Sequence, residues 1–178
     1  VEPIHIGSLF GKGVSETKDL CQLITEGDIP CKATLDIKKD IWAKMLFNCA
    51  LNPLGAIFDI SYGSLAEQKA TRDIMDAVVG ELFSIMEKSG HETYWQHTEE
   101  YLNAFYTTIL PLAAKQTSPT LQDIRAGKKT EIDALNGAIV QLGRKMGTPV
   151  PHNAMLWNMI KFMEQRSDKY LGRYQEAL

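Results

Sequence analysis

The stretch IWAKMLFNCALNPL concentrates the side chains best suited to chemistry. Lys44, Asn48 and Asn52 recur every four residues. On a helix they drift only about 80° over eight residues, so they form one polar row. Trp42, Met45, Leu46, Phe47, Cys49 and Leu51 surround that row with apolar groups, and a helix apolar on most sides is a buried one. A lysine and two carboxamides on such a helix point into protein or into a cleft, where they must satisfy each other or a ligand. A solvated stripe, or asparagines that tie down loops, would leave the same spacing.

A second segment, SPTLQDIRAGKKTEIDALNG, spans residues 118–137. Asp123 and Glu131 lie eight apart with a glycine between them, so they do not share a helix. Thr130 is placed to cap a helix that opens at Glu131, where a carboxylate gains from the helix dipole. An ordinary capped helix start looks the same. His5, His91, His97 and His152 pair with no second histidine or cysteine at ligand spacing, so no metal site is expected. There is no GxSxG, no P-loop and no GxGxxG; Gly11-Lys12-Gly13 reads as a turn. Met155, Met159 and Met163, four apart, suit a core or an interface.

The elements that must position these residues change character along the chain. Residues 1–7 and 31–35 read as strands around a helix at 16–26, with Ser15 as its cap and Leu20, Leu23 and Ile24 as its apolar stripe. From Asp36 onward helix follows helix. The first runs over 37–52, capped by Asp36, and Pro53 must kink or stop it. Others follow at 71–88, with Gly90 as its stop, then at 97–114, 121–125, 131–146 and 151–171. The expected fold is an all-α, compact multi-helix domain over 36–178, with a short α/β piece over 1–35.

The totals narrow the classes of function. The 178 residues, 44% of them hydrophobic, fit one domain or one domain with part of another. With 19 basic and 22 acidic residues and a net charge of −3, no basic block marks a nucleic-acid surface. No apolar run approaches the roughly 20 residues of a membrane span. Cys21, Cys31 and Cys49, with no CxxC, suit reduced thiols in a cytoplasmic protein. A chain that opens on Val1, within an apparent strand, is expected to be part of a longer protein.

Three strings in order, KMLFNCALNPLGAI, LQDIRAGKKTEIDALNGAIV and GTPVPHNAMLWNMI, resemble the C-terminal domain of the ketopantoate reductases (2-dehydropantoate 2-reductases). The likeness covers about residues 36–162. Residues 1–35 resemble the end of that family's N-terminal nucleotide-binding domain and the crossing into the helical one. The resemblance implies an oxidoreductase that uses NADPH to reduce 2-dehydropantoate to pantoate in pantothenate and coenzyme A biosynthesis. The nucleotide would be held mainly by the preceding domain, so this part alone is expected to be inactive.

By resemblance Lys44 is the general acid that protonates the substrate carbonyl, a task lysine suits because burial can pull its pKa toward the working pH. Glu131 helps place the lysine, binds substrate and borders the cofactor. Asn48 and Asn52 hydrogen-bond the substrate. The family's substrate-binding serine falls at Pro119 here, with Ser118 one residue earlier; either Ser118 takes over after a small backbone shift or the role is lost. The resemblance also implies a small-molecule 2-oxo acid partner and a homodimer. Two alternatives remain: a related reductase of another 2-oxo acid, and a non-catalytic helical oligomerisation module whose polar row only satisfies the core.

Overall fold

The computed structural model describes residues 3–10 and 13–175, with side chains of the last helix described as far as Arg166. Val1 and Glu2 of the expected first strand, and Gly11 and Lys12 of the expected turn, lie outside the described residues.

The N-terminal piece is a minimal β-α-β unit. Strands β1 (Ile4–Ile6) and β2 (Cys31–Ala33) pair in parallel, Ile4 opposite Cys31, and helix α1 (Val14–Glu26) crosses between them. Gly13, not Ser15, stands at the helix N-cap; its φ of 75° is a backbone state that favours glycine, and the Thr17 hydroxyl closes the turn on its carbonyl at 2.7 Å. The expected stripe on α1 is not buried: Leu20 and Leu23 are 46% and 66% exposed, and Cys21 is the buried residue of this helix. Two thiols distant in sequence meet here, Cys21 Sγ and Cys31 Sγ standing 3.1 Å apart as free cysteines.

The remainder is helical, as expected. Helix α2 (Ile37–Phe58) is central, packed against α3 (Tyr62–Glu67), α4 (Lys69–Ser89), α7 (Pro119–Arg125) and α9 (Pro151–Gln175). Leu46, Cys49 and Leu51 of α2 join Val78, Leu82 and Ile85 of α4 in one core. At 22 residues α2 is long and apolar enough to cross a membrane, contrary to the reading of its sequence, yet it uses that surface as a core helix. Asp36 stands at its N-cap without a side-chain bond. Gly90, at φ 67°, closes α4 as expected.

The expected helix over 97–114 is one rod in three parts: α5 (Thr98–Ala104), a π-turn (Phe105–Ile109) and α6 (Leu110–Ala113). The widened turn falls just before Pro111, which cannot donate to a carbonyl and crowds the one four residues back. Two boundaries move. Pro119 takes the first position of α7, with Ser118 as a true side-chain N-cap. Helix α8 (Asn136–Met146) starts five residues after Glu131, which lies in a preceding turn instead of a first helical turn.

Candidate active site

The polar row on α2 is graded in burial. Lys44 is exposed, Asn48 half-buried and Asn52 buried at 4% exposure. The row thus climbs from the core to the surface along one rigid helix. Asn52 Oδ1 accepts a 2.7 Å bond from the phenol of Tyr62 on α3, itself buried. Burial pushes that phenol's pKa up, with the Ser118 hydroxyl acting in the opposite sense.

Pro53 does not stop the helix, which continues to Phe58. A proline inside a helix lacks the N–H that would bond the carbonyl four residues back, here that of Cys49. The carboxamide of Asn136, at the start of α8, supplies the missing donor: Nδ2 reaches the Cys49 carbonyl at 3.1 Å. The same nitrogen donates to Asn153 Oδ1 at 2.9 Å. Asn153 Nδ2 in turn bonds Glu81 of α4 at 2.7 Å. The Glu81 carboxylate also accepts the backbone N–H groups of His152 and Asn153, at 2.8 and 3.0 Å, at the amino end of α9. Its Oε1 lies 2.8 Å from His152 Nδ1.

Ser118 is fully buried on the other side of the same turn. Its hydroxyl donates to the Asn52 carbonyl at 2.7 Å and accepts from the Leu121 N–H at 3.3 Å. Gly55 permits the approach, since a Cβ there would stand 3.0 Å from Ser118 Cβ. The loop before Ser118 is held by α3, where the N–H groups of Tyr62 and Gly63 donate to the carbonyls of Gln116 and Ala114.

Glu131 is exposed, but its neighbours are pinned. Thr130 gives its N–H and its hydroxyl to Glu164 at 2.8 and 2.7 Å, and its oxygen accepts from the Ile132 N–H. Ile132 is fully buried. Asp133 accepts from Trp157 Nε1 at 2.8 Å and Lys161 Nζ at 3.1 Å. Trp157, Lys161 and Glu164 therefore form one face of α9 that grips this turn. The bonds from Trp157 and then Lys161 hold the Asp133 carboxyl below the usual carboxylate range. Burial alone would raise Glu164, but its bonds from Lys161 and Thr130 together outweigh that and hold it low. The Glu164 carboxylate, ahead of Asp133, raises Lys161.

Of the five residues singled out by sequence, Ser118 and Asn52 are joined directly and Asn48 lies one turn from Asn52. Lys44 and Glu131 form no ion pair among the described residues, with each other or with another group, and both side chains are open to solvent. Tyr62, Glu81, Asn136, Asn153 and Glu164 were not anticipated. Asn136 and Asn153 stand inside two of the motif strings, which was a usable signal. Glu81 and Glu164 sit on helix faces whose sequence reads as ordinary amphipathic surface.

Comparison with known proteins agrees with this architecture. Residues 36–164 match the family described as ketopantoate reductase PanE/ApbA C terminal. A 2-dehydropantoate 2-reductase of Aquifex aeolicus is 40% identical over 164 residues, 92% of this chain and 53% of that protein. The crystal structure of a PanE/ApbA family ketopantoate reductase from Ralstonia eutropha superposes with a TM-score of 0.79 at 27% identity, over 94% of this chain and 53% of that one. A D-mandelate dehydrogenase solved with NADH and anilino(oxo)acetate shares the fold, with a TM-score of 0.80 at 20% identity over 92% of this chain and 67% of its own. The chain belongs to the ketopantoate reductase C-terminal domain family. It spans about half the length of the curated relatives it matches.

Proposed function

We propose that the whole protein containing this chain is an NADPH-dependent reductase that converts 2-dehydropantoate to pantoate, on the route to pantothenate and coenzyme A. The observation that carries the reading is the row on α2, buried at Asn52 and emerging at Lys44, with the family's other motif segments gathered around it. The 40% identity to the Aquifex aeolicus reductase supports the choice of substrate. In this reading residues 1–35 end a nucleotide-binding domain and 36–178 form the substrate-binding and catalytic domain. The protein acts as a cytoplasmic homodimer, a partner surface being favoured by the exposed Met155, Met159 and Phe162 on α9.

In this reading Lys44 and Glu131 would border the nicotinamide end of the nucleotide. Both are exposed and offer a cation and a carboxylate, while the sequence holds no GxGxxG motif for the phosphates. When bound, NADPH supplies the hydride. Lys44 gives its proton to the carbonyl oxygen of the 2-oxo acid, which leaves as the 2-hydroxy acid. Glu131, not paired with Lys44 among the described residues, would orient the lysine ammonium once substrate and nucleotide are bound, and would contact the substrate and help hold the nucleotide. Asn48 bonds the substrate's polar groups directly, with Asn52 behind it. Ser118 contributes through the Asn52 backbone that it holds.

Pro119, in the place of the family's serine, favours a second reading in which the substrate is a different 2-oxo acid. Steady-state reduction of 2-dehydropantoate against a panel of 2-oxo acids separates the two. Activity of the whole protein on 2-dehydropantoate, lost in Lys44→Ala, is the expected result. Activity untouched by that change leaves a structural helix and overturns the assignment.

A further inference from the structure

The bonds around Pro53 carry a role that the proposed reaction does not assign. A core built for stability alone has no use for this arrangement. Pro53 removes a helical bond inside α2, and Asn136 is then spent on repairing it. Asn136 is fully buried, and its Oδ1 has no hydrogen-bond partner among the described residues, a cost that an apolar side chain would avoid. The repair is itself stiffened. Asn153, fixed by Glu81 and by the Val78 carbonyl, holds the Asn136 amide in place. On the other side of the turn Ser118 ties the carbonyl of Asn52. Two backbone carbonyls of α2, those of Cys49 and Asn52, are thus anchored from opposite segments, directly beside the row.

We propose that Asn136 is a positioning residue: by holding the Cys49 carbonyl at the proline break it sets the direction in which the stretch of α2 bearing Lys44, Asn48 and Asn52 meets the substrate. This rests on the reductase reading above. An alanine at 53 would regain an N–H able to bond the Cys49 carbonyl, so it removes the need for Asn136 as a donor while erasing the break. That permits a test in the whole protein with Asn136→Leu, Pro53→Ala and the two combined, reading melting temperature, kcat, and KM for 2-dehydropantoate and for NADPH.

Asn136→Leu is expected to melt lower or fail to fold, and the combined variant to recover most of that loss. The combined variant is nevertheless expected to keep kcat at least about tenfold below wild type, because a misplacement on the order of 1 Å in a reacting group can cost about 10²-fold. Its KM for NADPH should stay near wild type. A combined variant that turns over at the wild-type kcat shows that Asn136 serves folding alone and overturns the proposal. So does a melting loss undiminished by Pro53→Ala, since Asn136 would then not act on the Cys49 carbonyl. A wild-type protein that reduces no 2-oxo acid overturns the parent reading and this one with it, and is recognised because the unmodified sample fails.

Discussion

Asn52 links the row to the core, and its replacement separates anchoring from substrate contact. Asn52→Ala deletes the acceptor of a buried 2.7 Å bond and leaves the Tyr62 phenol without its partner. An unsatisfied buried hydroxyl costs about 1–3 kcal/mol. The small void left by the carboxamide adds to that at about 24 cal/mol per Å³. A total of about 2–4 kcal/mol follows, and at about 2–4 °C per kcal/mol for a domain of this size the melting temperature should fall by about 4–16 °C. Tyr62→Phe tests the same bond from the other end. In a Tyr62→Phe background the loss caused by Asn52→Ala should shrink by about 0.5–3 kcal/mol, the coupling expected of contacting residues. Asn48→Ala, one turn nearer the surface, should change the melting temperature little, about 0.5 kcal/mol or less, and raise KM for the 2-oxo acid. Calorimetric melting and steady-state kinetics on the same samples provide both readouts. Equal melting temperatures for Asn52→Ala and wild type, or strict additivity with Tyr62→Phe, would refute the anchoring argument.

Lys44→Ala should lower kcat by about 10²–10⁴-fold, the contribution of a positioned general acid, with little change in KM for the nucleotide; a fall below tenfold would make Lys44 structural. The chain of 178 residues by itself should bind NADPH weakly and reduce no 2-dehydropantoate, and micromolar binding in calorimetry would contradict this. The grip of α9 on the Glu131 turn should depend on pH. Asp133 and Glu164 have folded pKa values below their unfolded ones, so their contribution is complete above the ordinary carboxylate range and is lost as pH falls through the lower folded values. Lys161 is shifted up, so its share is complete below the ordinary lysine pKa and disappears as pH rises through the higher folded value. The contribution of this grip should therefore be constant from about pH 5 to 10 and shrink on both sides, and Glu164→Gln should reduce the acid fall in melting temperature; an unchanged acid limb would count against the grip.

Much of the fold was legible because its helices carry strong periodicity and glycine stops. Val78, Leu82 and Ile85 are buried as their spacing requires, and Gly90 closes their helix. The misreadings have local causes. Pro53 reads as a kink or a stop in α2, and the stop does not occur: a side chain from a distant segment supplies the bond that proline removes, and no local rule contains that partner. Leu20 and Leu23 make a correct amphipathic pattern, yet nothing in the described residues covers them. Thr130 is placed in the sequence to cap a helix, and its hydroxyl does accept from the Ile132 N–H; the segment nevertheless closes as a turn, with α8 delayed to Asn136. Spacing placed Lys44, Asn48 and Asn52 on one face, but not their gradient of burial, which depends on where Tyr62 and Ser118 pack.

That gradient explains why one helix can be so apolar and still carry a polar row. A site residue needs a fixed backbone and an accessible tip, demands that conflict at any single position. Helix α2 separates them along its length: Asn52 is locked by Tyr62 through its side chain and by Ser118 through its carbonyl, while Lys44, two turns away, is open to solvent. Helical hydrogen bonding carries the rigidity from one end to the other, provided that the ladder between them is intact. The Cys49 carbonyl lies within that span, and Pro53 leaves it without its helical donor. The carboxamide of Asn136 is therefore needed where the two ends of the row join, and the motif segments around α2 are linked by this need: Ser118 and Asn136 hold its backbone, and Asn153 holds Asn136.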